Sequence, residues 1–482
     1  MEYRDDTACA ILDLPASDAL VRPGRVRIVS CQRRLSAWIL LAATVCFAAL
    51  AAPFFAGRVY VADDLGEFHL PLRDFYARRL ATGEPFDWMP SLYGGFDIAG
   101  EGQLGGFHPW HLFLYRFLPL GAAFDIELLA SYPLMFVGAH WLFVRLVRRH
   151  DAALLGALVF TFGGFNLLHF VHPNAIAVVA HLPWLLAAID VALSTTSSRR
   201  RAAAELGIGL LTASQLLLGY PQYVWFSLLA VAAFVAWRAA GGKAPRARLA
   251  SLAVAVTLGV AAGAVQWWPT MHALNQSTRQ DAGAAFANIG SLDPLNLVQL
   301  VAPYLFRSRV VGQNTHELGL YVGAVPIVLC VWLMAHRRLW GRFRPLVRAL
   351  LVFGGIALLM AAGEFGPVYQ LQAWVPLAKS FRFPCRAIVL VQLCMAAGAA
   401  VATAMLLERK TNARDPKRQI ALWAALAASA ILALLGPIVW PDFVARPALI
   451  WTGPLLIAAA VALVTLVERG VHAAAIALVM FT

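Results

Sequence analysis

Runs of predominantly apolar residues recur along the whole chain, separated by short basic or Gly/Pro-containing breaks. Each is long enough to cross roughly 30 Å of hydrocarbon at about 1.5 Å per residue. They predict membrane helices at Ser36 to Phe55, Phe124 to Val147, Ala152 to Phe170, Ala175 to Leu193, Ala202 to Gly219 and Tyr223 to Ala240. Six more follow at Leu249 to Trp268, Gly319 to His336, Leu346 to Ala362, Ala387 to Leu407, Ile420 to Val439 and Leu449 to Val467. Backbone groups in lipid must pair within their own segment, so helices are the default and a barrel is not. The pattern predicts an all-α polytopic membrane protein of about twelve spans.

Composition agrees, since 60% of the 482 residues are hydrophobic, 13% are charged and the mean hydropathy is +0.69. No ordinary soluble domain has that balance. A net charge of +13 invites a nucleic-acid partner until the cations are placed. With successive loops on alternate sides, 27 of the 39 Lys and Arg fall on the side of the N-terminus. The positive-inside rule then puts that side in the cytoplasm, and the basic excess reports topology rather than nucleic acid.

Residues 1–35 read as a flexible cytoplasmic segment and 36–482 as the transmembrane domain. A mixed leader of that length is too long for a cleaved signal peptide, so the first run reads as a retained anchor. Cys9 and Cys31 are expected in the cytoplasm, Cys46, Cys330 and Cys394 in spans, and Cys385 near the outer face, which leaves no disulfide framework. The final apolar run from Val471 is too short to span, and suggests a chain cut from a longer one.

Three outer loops stand out, at 56–123, 269–318 and 363–386. Irregular polar and aromatic sequence facing one compartment is where such a protein carries its chemistry. In the first loop, Glu67 to Thr82 reads as an amphipathic helix with Phe68, Leu72, Phe75 and Leu80 on one side.

Asp63 and Asp64 open that loop where water, headgroups and hydrocarbon meet. Adjacent side chains cannot both face one substrate without a bend, so one working carboxylate and one supporting neighbour are expected. Acids flanking an anchor are also ordinary headgroup neighbours, and position alone does not choose. Arg382 and Arg386, with Lys379 weaker, sit where an outer loop enters a span and could hold a phosphate, or simply anchor anionic lipid. Arg307 and Arg309 are fainter candidates still. His316 and Glu317 precede a span, and Glu101, His108 and His111 lie in a glycine-rich stretch; either group could meet sugar hydroxyls or simply be solvated. Trp88 and Trp110 could stack on a sugar or belong to the interfacial aromatic belt. No tight metal-ligand spacing appears, so no metal ligands are assigned, and a divalent cation stays open. His169, His172 and His181 could line a cavity, but near span ends they read as histidines satisfied by backbone carbonyls rather than as catalytic groups.

The stretch Asp64-Leu-Gly-Glu-Phe-His-Leu-Pro71 leading to Arg73, with Gly83-Glu-Pro-Phe-Asp-Trp88 and Gly94-Gly-Phe96, resembles the first outer loop of YfhO-like bacterial membrane proteins of the GT-C class of glycosyltransferases. The resemblance continues through Phe107-His-Pro-Trp110, Arg145-Leu-Val-Arg-Arg149, Phe160-Thr-Phe-Gly-Gly-Phe165, His172, His181-Leu-Pro-Trp184, Glu317-Leu-Gly-Leu-Tyr-Val-Gly323 and Phe381-Arg-Phe-Pro-Cys-Arg386. It covers residues 36 to 407, and departs at the end, where relatives carry further spans and an outer C-terminal domain.

The resemblance implies transfer of a sugar from a polyprenyl-phosphate donor to a cell-envelope glycan or glycolipid, at the outer face of a bacterial cytoplasmic membrane. It implies Asp64 as base, with Asp63 second. The chemistry is consistent: an acceptor hydroxyl must lose a proton, whereas the leaving phosphate is a stable anion that needs cations more than an acid. The rival from another class is a transporter or flippase of lipid-linked saccharides, which should keep ionisable residues mid-span. Asn166, Gln215 and Glu205 are the most polar positions expected in spans.

Overall fold

The computed structural model describes residues 23–482 except 243–244, 281–282, 309, 313, 376–377 and 409–415. Arg309, Cys9 and the first twenty-two residues therefore lie outside the described residues. The chain is helical almost throughout: α1 Pro23–Phe55, α2 Leu70–Thr82, α3 Pro109–Phe117, α4 Leu120–Val147, α5 His150–Thr161, α6 Pro173–Ser194, α7 Ser198–Leu218 and α8 Pro221–Ala240. There follow α9 Arg246–Ala262, α10 Ala264–Asn275, α11 Ala324–Ala335, α12 Arg344–Ala361, α13 Ile388–Glu408, α14 Pro416–Val439, α15 Thr452–Glu468 and α16 His472–Met480. Among the described residues the only sheet is the pairing of Trp88–Met89 with Phe96–Asp97.

Eight helical segments are long and apolar enough to cross a membrane, or nine if the α9–α10 pair, bent by 70°, is one span. The polytopic helical fold is as expected, but the count of about twelve is not reached by this measure. Helices do occur at Ala202–Gly219 and Leu449–Val467. The first opens with Arg199, Arg200 and Arg201, and the second holds only Thr452–Glu468. At Gly319–His336 only Ala324–Ala335 is helical, because the preceding residues form irregular backbone held by side chains. α1 begins at Pro23, so the end of the segment 1–35 is continuous with the first span.

The bundle has a buried centre and a lipid-facing rim. The span Pro384–Glu408 has 94% of its most apolar window buried and Pro173–Ser194 83%, against 28% for Gln32–Phe55, Gly341–Ala361 and Gln419–Val439. α13 therefore forms the core, packed by α5, α11 and α12, with α4 packed on α5 and α6 packed in turn on α4.

The two ends of the bundle differ in chemistry. At one end Arg145 and Arg238 both close on Asp190, and Arg342 reaches Glu408 at 2.8 Å. The opposite end carries the first long loop, whose helix α2 does not lie free as an amphipathic surface helix. Leu72, Arg73 and Tyr76 are buried against α3 and α4. Arg73 donates from Nε and Nη2 to Glu127 of α4, at 2.9 and 2.6 Å, and the Tyr115 hydroxyl and His111 complete the cluster. Asp125 and Glu127 of α4 and Asp190 of α6 lie inside the expected spans Phe124–Val147 and Ala175–Leu193, so Asn166, Gln215 and Glu205 are not the most polar span positions, contrary to expectation. A buried charge is tolerated when paired.

Candidate active site

Two glycine contacts build the floor of the site. The span from His150 breaks after Thr161, and the Gly164 N–H donates to Tyr321 O at 2.9 Å. A Cβ on Gly164 would lie 2.4 Å from that oxygen, and one on Gly319 would lie 2.5 Å from Leu168 Cδ1. Only glycines let the broken helix and the irregular segment 318–322 approach so closely. The irregular backbone keeps its hydrogen bonds through side chains: Gln299 receives Leu320 N–H and donates to Leu318 O, and Gln392 donates to Gly319 O. Irregular backbone inside a bundle survives when it is satisfied in this way. The result is that His169, on the broken helix, lies 3.1 Å from Glu317 Oε2.

The first loop supplies the carboxylates. Asp63 has φ 54°, in the left-handed region that strains a non-glycine residue. Its carbonyl accepts from the N–H groups of Gly66 and Glu67, starting a π-helical turn at Leu65–His69. Such wide turns often mark functional positions. The turn aims Asp64 Oδ2 at His172 Nε2, 3.0 Å away, while Asp63 Oδ2 lies 3.7 Å from His316 Nδ1. The Asp64 side chain is 45% exposed, whereas that of His172 is 6% exposed. The hydrogen bond from His172, strongest among several influences, holds the Asp64 carboxyl below its ordinary range.

The cation side is built by the loop entering α13. Arg386 donates from Nε to Glu317 at 3.0 and 2.9 Å, again from Nη2, and from Nη1 to Gln222 Oε1 at 3.0 Å. Burial pushes the Glu317 carboxyl up, but Arg386 and then His169 outweigh it and hold it well below the ordinary range. Tyr220 and Phe383, both at positive φ before a proline, cover the Arg386 guanidinium, with ring centres 5.2 and 4.6 Å away. Arg382 instead points outward over Phe286 at 5.7 Å, and Arg279 approaches the same ring at 5.8 Å. Among the described residues neither has an acidic partner. Two guanidiniums on one aromatic ring, without an acidic partner among the described residues, form an anion-ready surface.

The structure thus brings Asp63, Asp64, His316, Glu317 and Arg386 into one linked cluster. Arg382 adjoins it through Phe383, 4.9 Å from the guanidinium, and through Gln222, which donates to Arg382 O. Glu101 lies next to it: Tyr220 N–H donates to Gly102 O, and burial raises the Glu101 carboxyl to about 7. His108 is already committed to Ser214 at 2.8 Å and to the Trp110 N–H, which caps α3. Trp88 is 53% exposed in the small hairpin, and Lys379 is exposed on its turn. Neither contacts the cluster through any hydrogen bond, ion pair or ring contact of the described residues. Arg307 sits elsewhere, its N–H bound to Phe443 O.

His169 and His172 correct an expectation. They are not satisfied by backbone carbonyls, as His181 is through Ala177 O, but pair with Glu317 and Asp64. His69, Tyr220 and Gln222 also belong to the cluster and were missed. The overlooked signal was position: His172, Tyr220 and Phe383 each precede a proline that opens a helix. Such residues are pushed out of helical geometry and face the loop end.

His169, His172 and Glu317 present donor atoms within 4.8 Å of one another, as a cation site would need. Both Glu317 oxygens, however, already accept from Arg386. A metal ion would sit against a guanidinium that already supplies the positive charge, so the set does not fit a resident metal.

No family model matches the chain and no curated protein matches it. Among solved structures it is similar to ArnT from Cupriavidus metallidurans in the apo state, with a TM-score of 0.49 and 16% identity over 91% of this chain and 74% of that one. The same protein bound to undecaprenyl phosphate gives 0.45 and 14% over the same shares. The apo Archaeoglobus fulgidus oligosaccharyltransferase gives 0.41 and 16% over 92% of this chain and 56% of that one.

Proposed function

We propose that the chain is a membrane glycosyltransferase of the GT-C class, similar to YfhO-like proteins, that moves a sugar from a polyprenyl-phosphate donor to an envelope glycan or glycolipid. The single observation that carries this reading is that one end of the bundle holds a half-exposed carboxylate on the first loop and guanidiniums on later loops that have no acidic partner among the described residues. Basic loops gather at the other end, so the positive-inside rule assigns the site to the outer face of a bacterial cytoplasmic membrane.

Asp64 accepts the proton of the acceptor hydroxyl as its oxygen attacks the anomeric carbon. The bond from that carbon to the phosphate oxygen breaks, and its electron pair leaves with the phosphate. Arg382, with Arg279, offsets the developing charge. One displacement inverts the configuration at the anomeric carbon. Arg386 holds Glu317 in place and so fixes the loop from which Arg382 projects.

The flippase alternative gains no support from the polar groups inside spans. Asn166 donates to Phe160 O, Gln215 to Val178 O, Asp190 is held by two arginines, Glu127 by Arg73, Asp125 accepts from Tyr60 N–H and Glu205 from the Ser251 hydroxyl. These ties make scaffold rather than a path for a charged headgroup. The direct test is transfer of radiolabelled sugar from a polyprenyl-phosphate donor by membranes carrying wild type or Asp64→Asn. Transfer by wild type alone is expected; equal transfer by both would remove Asp64 from the reaction, and none by either would remove the enzyme.

A further inference from the structure

A carboxylate that acts as base must be aimed, and on its own loop only the Asp64 backbone is held, its N–H donating to Asp63 Oδ1 at 3.0 Å. Asp64 precedes the π-helical turn without capping it through its side chain, and it is half exposed. An exposed carboxylate in a turn samples several rotamers, and a misplacement of about 1 Å can cost on the order of 100-fold in rate.

Among the described residues, the side chain that meets the Asp64 carboxylate is that of His172, at 3.0 Å, and it is firmly held. His172 stands at the start of α6; its N–H donates to His169 O and its carbonyl accepts from Ile176 N–H. Its ring is buried among four others, His316 at 5.2 Å, His169 at 5.4 Å, Tyr220 at 6.2 Å and His69 at 6.4 Å between centres. His69 comes from the turn that Asp64 begins, and is 1% exposed with neither ring nitrogen hydrogen-bonded. A buried imidazole without partners is unfavourable by itself. Its edge against His172 is the contact that locks the Asp64 turn to α6. Because an ionised carboxylate can only accept, His172 must carry its proton on Nε2.

We infer that His172 is a positioning residue for sugar transfer: its Nε2–H fixes the Asp64 carboxylate toward the acceptor, and His69 packs the His172 ring in that orientation. The inference rests on the proposed transferase reading. It separates Asp64, which meets the substrate, from His172, which acts only through Asp64.

The experiment is a double-mutant cycle on transfer from a polyprenyl-phosphate donor, with His172→Ala, His172→Gln, Asp64→Asn and the double variant Asp64→Asn with His172→Ala. His172→Ala is expected to lower kcat by about 100-fold, leaving the donor KM unchanged. His172→Gln keeps an N–H donor and restores part of the loss. In the Asp64→Asn background, His172→Ala costs nothing further, since residues that act as a unit are not additive. Equal losses in both backgrounds, or a rise in donor KM in place of the fall in kcat, overturn the inference while leaving the transferase reading intact. Absence of transfer by wild type overturns both. A readout independent of turnover accompanies the cycle: carbodiimide labelling of Asp64, followed by mass spectrometry, should be faster in His172→Ala than in wild type, and equal rates contradict the contact. His172→Gln serves where the alanine variant fails to fold.

Discussion

Two arginine–glutamate pairs lie near the loop end of the bundle, and they are built for opposite ends. Arg73–Glu127 is sealed, with side chains 0% and 2% exposed, and its neighbours Tyr115 and His111 turn inward to the same carboxylate. Arg386–Glu317 is nearly as buried, at 10% and 2%, but its surroundings open outward, through His316 to Asp63 and through Phe383 to Arg382. The first pair fastens the loop helix to α4. The second aligns groups that still have something left to bind. A buried ion pair is thus not in itself a sign of chemistry; the distinction lies in whether its neighbours keep exposed, unspent donors and acceptors.

The largest contrast is expected at Asp64. Asp64→Asn should lower kcat by about 100- to 10,000-fold, the span general-base catalysis covers, with unfolding unchanged because the side chain is half exposed. Measuring kcat and thermal unfolding in detergent on one preparation checks both halves. The sealed pair should answer the other way: Glu127→Ala strands Arg73 and should cost about 3–5 kcal/mol of stability, while each molecule that stays folded transfers sugar at the wild-type rate. A smaller effect is expected from Arg382→Ala. Loss of a charged hydrogen bond worth about 1.5–3 kcal/mol should weaken polyprenyl-phosphate binding by about 10- to 150-fold with little change toward the acceptor, read by donor titration.

The smallest effect is on pH dependence. His172 holds the Asp64 carboxyl below its ordinary range, so the active, ionised form persists into mildly acidic solution. Removing His172 should move the acid limb of kcat/KM to higher pH. The groups facing the pair, Asp63, His69, His169, His316, Glu317 and Arg386, remain in His172→Ala, so a limb that stays put would mean that they, not His172, set it.

Much of the fold was legible because lipid imposes a simple length rule. The runs ending at Phe55 and Val147 became helices ending at those residues. The rule failed where polar side chains replaced the helix's own hydrogen bonds, as Gln299 and Gln392 do along residues 318–322. Nothing in a hydropathy pattern records such a long-range exchange. Asp64, Glu317 and Arg386 were legible as polar residues at span boundaries, and the structure gathers them. His69 and His172 were not, because an imidazole's role depends on which carboxylate the fold sets beside it. Arg279 had no local signal either: its relation to Arg382 passes through Phe286 in a different turn.

The contrast between the two ion pairs can be put to a single measurement, sugar transfer per folded molecule after each pair is replaced by apolar residues of similar volume. Such replacement of a buried pair is often tolerated in stability. Arg73→Met with Glu127→Leu should leave transfer near wild type, and Arg386→Met with Glu317→Leu should abolish it. Transfer that survives the second replacement and is lost in the first would place the chemistry at the wrong pair and contradict the account.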